Sequence, residues 1–252
     1  MENKRIAQMY KYIEERETAS VEELARSFDV SEATVRRDLL KMEDMNLITR
    51  HYGGAYINRK QKNFPAFWIR ERTLPEEKKY MCRYAASLIH EGDTVYIDGG
   101  STVSQMIDYI VARDITVVSQ GISNIIKLMQ KGISTFVMGG YVDEKTENIL
   151  SSQTVEEVRD RHFNISFIGA DGICVLSGIT NSQDSDAYFN KQLIENSDRV
   201  IIMADETKFG ETKLSRFADI NVGTIITNGL VEDFDYSRIL DLVVVNSEGK
   251  VF

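Results

Sequence analysis

The sequence predicts an α/β protein with an N-terminal winged helix-turn-helix and a larger C-terminal α/β domain on a largely parallel sheet. Three observations carry this. The first sixty residues hold three short helical stripes and then a Gly-Gly hairpin signal. From residue 76 onward, apolar β-rich runs alternate with helical patterns, which is the signature of βαβ units. Between them lies a polar stretch containing both prolines, Pro65 and Pro75, and the only tryptophan, Trp68. The expected division is 1–58 for the first domain, 59–75 for a linker and 76–252 for the second domain.

Ile6, Met9, Tyr10 and Ile13 recur at i, i+3, i+4 and i+7, one apolar stripe of a first helix. Ser20-Val-Glu-Glu23 reads as a capping box that opens a second helix, with Val21, Leu24 and Ala25 facing inward. Asp29-Val30 makes a short turn, and Ser31 caps a third helix running to about Met45. The crossing of two such helices needs a small residue, which Ala25 supplies, and a plug, which Val35 supplies, with Leu39 and Met42 continuing its stripe. The opposite face of the third helix carries Ser31, Glu32, Thr34, Arg36, Arg37 and Lys41, the residue types that reach base edges and phosphates. Leu47 to Ile57 then flanks Gly53-Gly54 with apolar and β-branched residues, predicting a hairpin wing. Arg50 and His51 are placed there to touch phosphate or a minor groove.

In the second domain, strands are expected at 94–97, 115–118, 135–138, 165–168, 200–203, 224–227 and 242–245, with helices near 76–90, 103–112, 121–130, 152–161 and 185–197. Ligands of open α/β sheets bind beyond the carboxyl ends of strands, so the residues following each strand are the candidates. They are Asp98, Gly100, Ser101 and Thr102, then Ser119 and Gln120, then Gly139 and Gly140, with Asp171, Asp205 and Lys208 after later strands. Glycines let backbone approach a phosphate, hydroxyls and Lys208 supply donors, and the aspartates can accept from sugar hydroxyls. Lys191, on the last long helix, is a second candidate cation. Each short turn is weak alone; together at one sheet edge they indicate an effector site.

Net charge is −9, which disfavours a protein devoted to coating nucleic acid but leaves room for a local DNA-binding face. Residues 1–57 carry nine Lys/Arg against eleven Asp/Glu, so what matters is where the cations sit. No run approaches a membrane span, no secretory leader is read at the N-terminus, and the expected compartment is the cytoplasm. Cys82 and Cys174 read as reduced packing residues, and the three histidines (His51, His90 and His162) lack ligand spacing, so no metal is expected. Neither a Walker A string nor a dinucleotide fingerprint occurs, and no cofactor is expected.

Val30-Ser-Glu-Ala-Thr-Val-Arg-Arg-Asp-Leu39, followed by Arg50 and Gly53-Gly54-Ala55, resembles the DeoR family of sugar-responsive bacterial regulators. The resemblance continues through Asp98-Gly-Gly-Ser-Thr102, Met138-Gly-Gly140, Phe167-Ile-Gly-Ala-Asp-Gly172, Ser177-Gly-Ile-Thr180 and Ala204-Asp-Glu-Thr-Lys-Phe-Gly210. It implies a sensor fold like ribose-5-phosphate isomerase and the CoA transferases, with a phosphorylated sugar or related metabolite as inducer. Three departures from the family pattern stand out: Tyr52 where the family has histidine before Gly-Gly-Ala, Ser101 within the usual Gly-Thr-Thr, and altered residues over Asp186–Lys191. The expected function is a repressor of carbohydrate-metabolism genes that binds double-stranded operator DNA as a homodimer or homotetramer, because paired recognition helices match palindromic half-sites. The rival reading is a sugar-phosphate isomerase with a DNA-binding appendage, using Asp98, Asp171 or Asp205 as base. A third reading is an interaction module with a vestigial pocket.

Overall fold

The computed structural model describes residues 2–44, 47–57, 75–144 and 146–252. The chain divides into two compact units, Met1–Thr73 and Leu74–Phe252. Residues 59–74 of the expected linker 59–75 lie outside the described residues, and Pro75 opens a helix; Met45, the expected end of the third helix, also lies outside them. Among the described residues no helix is long and apolar enough to cross a membrane.

The first unit is α1 (Glu2–Arg16), β1 (Thr18–Ser20), α2 (Val21–Ser27), α3 (Glu32–Asp44), β2 (Ile48–His51) and β3 (Gly54–Ile57). Ile6, Met9 and Ile13 of α1 meet Leu24, Val35, Leu39 and Met42 in one core. The capping box forms: Glu23 N–H donates to Ser20 Oγ at 3.1 Å, and Ser20 N–H donates to Glu23 Oε2 at 3.4 Å. Replacing Ser20 by alanine orphans an early N–H, so S20A should cost about 1 kcal/mol in a denaturant titration. Asp29 sits at φ +49° in the turn before α3, a conformation that Asp tolerates better than most residues. The three strands form an antiparallel sheet in the order β1-β3-β2. β1 escaped the sequence reading because three residues carry too little alternation to mark a strand.

The second unit is built on seven parallel strands in the order β15-β14-β12-β9-β4-β5-β6. They are β4 (Thr94–Ile97), β5 (Thr116–Ser119), β6 (Ser134–Val137), β9 (Ile165–Gly169), β12 (Val200–Met203), β14 (Thr224–Thr227) and β15 (Leu242–Val244). Side chains alternate between two cores, one on each face. Val95, Ile97, Ile165, Phe167, Ile201 and Met203 pack in one with Met81 and Met106, and Tyr96, Ile168, Val200 and Ile202 pack in the other with Phe163 and Phe189. Burial on both faces is why central strands such as β9 and β12 read as continuous apolar runs. Helices α4 (Pro75–Ser87), α6 (Ile122–Gln130), α7 (Ser152–Arg159) and α8 (Asp184–Glu195) lie near their expected positions. The helix expected at 103–112 differs. It is a single α turn, α5 (Ser101–Ser104), that tightens into a 3₁₀ segment over Gln105–Tyr109.

Two antiparallel additions were not foreseen. A hairpin, β7 (Tyr141–Asp143) with β8 (Asn148–Leu150), folds back over the ends of β4 and β5. A small sheet in the order β10-β11-β13 (Gly172–Cys174, Gly178–Asn181, Ser215–Ala218) follows β9. These short strands offer little period-2 signal.

Candidate DNA-binding face and effector site

In the first unit, α3 presents Ser31, Glu32, Arg36 and Arg37 on its exposed side, with Thr34 and Lys41 half-buried. Ser31 Oγ accepts from Thr34 N–H at 3.3 Å, so it caps the helix. Arg36 pairs with Glu32 at 2.7 Å on the exposed face. A cleft between helix and wing is lined by Arg36 together with Arg50, His51 and Tyr52, which brings the helix and wing candidates to one surface. Arg50 is held at the base of the wing: its N–H donates to Glu43 Oε1 at 3.0 Å. His51 stacks on Tyr56, with ring centroids 6.2 Å apart.

The wing turn corrects the expectation that Gly53-Gly54 forms the loop. His51 pairs with Gly54, so the loop is Tyr52-Gly53 and Gly54 opens β3. The two glycines serve different ends. Gly53 takes φ +94°, a conformation that glycine adopts without steric cost. A Cβ on Gly54 would run into the carbonyl of Ala19 on β1. Tyr52 is fully exposed at the tip.

α3 is anchored from behind by a contact that sequence reasoning missed. Asp38 is fully buried and accepts from Arg5 of α1, at 2.6 Å to Nε and 3.2 Å to the guanidinium Nη2. The pair fixes the helix that carries Arg36 and Arg37.

In the second unit the chain runs outward from β4 to β5 and β6, then returns to the opposite side of β4 as β9. The β4/β9 crevice is therefore the topological switch point, where open α/β sheets bind ligands. Asp98, just past β4, accepts from Gly169 N–H across this crevice at 3.0 Å. Gly100 and Gly169 flank the carboxylate so closely that a Cβ on either would approach it to 3.1 Å. Ser101 and Thr102 open α5 beside it. Asp171 follows β9 and accepts from Ser182 N–H at 2.9 Å.

Asp205 and Lys208 follow β12, the next strand. Asp205 is buried and paired at 3.2 Å with Lys78 of α4, also buried. Burial alone would raise the Asp205 carboxyl, but the ammonium groups of Lys78 and Lys208 and a bond from Thr207 outweigh it and hold it below the ordinary range. Burial lowers the Lys78 ammonium despite its partner. Lys78 is the second residue that sequence reasoning missed.

Not every candidate joins this group. Ser119 is fully buried, and its hydroxyl is occupied: it donates to the Ile97 carbonyl at 2.7 Å and accepts from Asn124 at 3.0 Å. Gln120 is buried beneath the β7–β8 hairpin, where its carbonyl accepts from Ile149 N–H. Gly139 and Gly140 follow the edge strand β6, and Gly140 packs against Leu150 of the hairpin. Lys191 is exposed on α8, across the helix from the buried Leu193, with no described contact to the strand-end group.

Cys174 also departs from expectation. It closes β10 half-exposed rather than packing in a core, and hydrogen bonds from the backbone of Ser177 and Leu176 and from Thr212 lower its thiol to about 7. Burial pushes Cys82 up to about 12. A thiol-alkylation rate should therefore rise with a midpoint near 7 at Cys174, while Cys82 stays unmodified in the folded chain. Mass mapping of the modified cysteine checks both.

A recognition helix beside a glycine-turned wing, and a parallel sheet with polar groups gathered at its switch point, define a helix-turn-helix regulator with a separate α/β unit. The chain belongs to the DeoR family of transcriptional regulators: residues 5–61 match the DeoR-like helix-turn-helix domain and residues 74–229 the DeoR C terminal sensor domain. It is 33% identical over 221 residues to an uncharacterized HTH-type transcriptional regulator, FruR, of Bacillus subtilis, covering 87% of this chain and 88% of the relative. The HTH-type transcriptional repressor GlcR of the same organism is 29% identical, with 99% of each chain covered. The glycerol-3-phosphate regulon repressor of Escherichia coli is 29% identical, covering 82% of this chain and 80% of the relative. Among solved structures, ribose 5-phosphate isomerase A of Neisseria gonorrhoeae overlaps 56% of this chain and 54% of its own at 17% identity and a TM-score of 0.39, too slight an overlap to bear on chemistry.

Proposed function

We propose that the protein is a cytoplasmic repressor of carbohydrate-metabolism genes, released from operator DNA when a phosphorylated sugar or related metabolite binds the second unit. The observation that carries the DNA half is the shared cleft of α3 and the wing, with Arg36, Arg50 and His51 at one surface. In this reading α3 enters the major groove, Arg36 and Arg37 reach base edges or phosphates, and the wing tip lies along the backbone. Ser31, Glu32, Thr34 and Lys41 complete the contact surface. For the effector half, Gly100, Ser101, Thr102 and Lys208 suit the phosphate, while Asp98 and Asp171 suit hydroxyls. Support comes from relatives whose names include the glycerol-3-phosphate regulon repressor and the HTH-type transcriptional repressor GlcR.

Binding without turnover fits the site better than isomerisation. Of the aspartates that could act as base, Asp205 is committed to the Lys78 ion pair and a bond from Thr207, and the relatives are named as regulators.

A thermal-shift screen against phosphorylated sugars, sugar alcohols and their unphosphorylated forms tests the effector half. Saturation at one hundred times the dissociation constant should add about 2.7 kcal/mol of stability. A phosphate-dependent shift that disappears in Lys208→Ala is the expected result. A shift that survives that substitution, or one given equally by the unphosphorylated compound, contradicts the assignment.

A further inference from the structure

Helix α6 turns its apolar stripe the wrong way for a buried helix. Ile122, Ile125, Ile126 and Met129 stand at i, i+3, i+4 and i+7, the spacing of a core-facing stripe. Yet the residues that α6 buries are Asn124 and Leu128, while Ile126 and Met129 are 46% and 69% exposed. Beside it, β6 is the edge strand of the sheet, and its Val137 is exposed. The β7–β8 hairpin meets the start of α6 through Glu147 and Asn148, and it exposes Tyr141 and Val142. Several large apolar side chains exposed on neighbouring elements mark an association site.

We infer that this surface is the self-association face of the protein, with α6 of one copy packed antiparallel against α6 of a second copy about a two-fold axis. Charge placement supports that occupant. Glu147 sits at the amino end of α6, where its carbonyl accepts from Ile122 N–H. Lys131 sits at the carboxyl end, exposed apart from a bond to the Asp108 carbonyl. An antiparallel two-fold crossing sets Lys131 of each copy against Glu147 of the other, and an isologous interface makes that contact twice. The apolar stripe lies between the two charged ends, as the core of an interface lies within its polar rim. A nine-residue helix is about 13 Å long. A helix pair alone falls short of the ~800 Å² per partner of a standard interface, so the hairpin and the β6 edge supply the remainder. The choice of a second copy rests on the operator-binding reading, since paired recognition helices match two-fold half-sites.

Sedimentation of the full chain without DNA tests this. The wild type should dimerise at low micromolar concentration. The double variant Ile126→Glu/Met129→Glu should associate at least about 100-fold more weakly with an unchanged circular-dichroism spectrum, both side chains being exposed. Lys131→Glu and Glu147→Lys should each weaken association, and combining them should restore it. A wild type that stays monomeric to tens of micromolar, an apolar double variant that dimerises like the wild type, or charge reversals whose effects simply add would each overturn the assignment. Because self-association is read in the absence of DNA, its failure is a separate result from a failure to bind an operator.

Discussion

Lys78→Ala should destabilise the second unit by about 3–5 kcal/mol, the range for removing one partner of a buried ion pair. Both side chains are only 4% exposed, so water cannot replace the lost ammonium. The pH dependence follows from the direction of the Asp205 shift. Its folded carboxyl lies below the ordinary value, so its contribution is present above the unfolded value of about 4 and is lost as pH falls through the folded value. In Lys78→Ala the chief cause of that depression is gone, burial dominates, and the carboxyl moves upward. The variant should therefore unfold at higher pH than the wild type on acid titration. A second variant, Lys78→Met with Asp205→Leu, should recover most of the loss, because a well-packed apolar pair can match an ion pair. Urea titrations at neutral and acid pH measure both. A loss under 1 kcal/mol in Lys78→Ala, or an unmoved acid limb, would show that the pair is not the anchor described.

Asp38→Ala should destabilise the first unit by about 2–3 kcal/mol, less than the fully buried pair, because Arg5 retains 22% exposure and can partly rehydrate. It should also weaken DNA binding, since Asp38 bonds to Arg5 and holds the helix that carries Arg36 and Arg37. The informative partner is Arg37→Ala. Arg37 is exposed, so its removal should leave stability within about 0.5 kcal/mol while weakening operator binding by about 1–3 kcal/mol. If Asp38→Ala binds DNA normally, α3 does not depend on this anchor.

Both anchors left a trace in the sequence. Val35, Asp38, Leu39 and Met42 stand at i, i+3, i+4 and i+7, so Asp38 falls on the buried stripe of α3. Lys78, Met81, Cys82, Ala85 and Ala86 repeat the same spacing on α4. A charge on an apolar register must find a partner, but sequence alone does not say which residue supplies it. The apolar stripe on α6 misleads in the opposite sense, since its spacing predicts burial within the chain and the structure leaves Ile126 and Met129 exposed. The central parallel strands were legible because burial on both faces makes β9 and β12 continuous apolar runs. The β7–β8 hairpin and the β10-β11-β13 sheet were not, because three- and four-residue antiparallel strands carry almost no period. The switch-point group at β4, β9 and β12 was found by its turn residues. Ser119 and Lys191 belong to the same sequence pattern, yet one is consumed inside the sheet and the other faces solvent. That distinction depends on strand order, which the linear pattern does not encode.

The central claim, that α3 and the wing read an operator, is tested most directly by selecting duplexes from a random library with the full chain and measuring their affinity at several salt concentrations. A two-fold symmetric site should emerge, bound at least about 10³-fold more tightly than random duplex, with affinity falling steeply as salt rises and base preference relaxing in Arg36→Ala or Arg37→Ala. Selection that yields no enriched sequence, or an affinity that neither arginine alters, would contradict it.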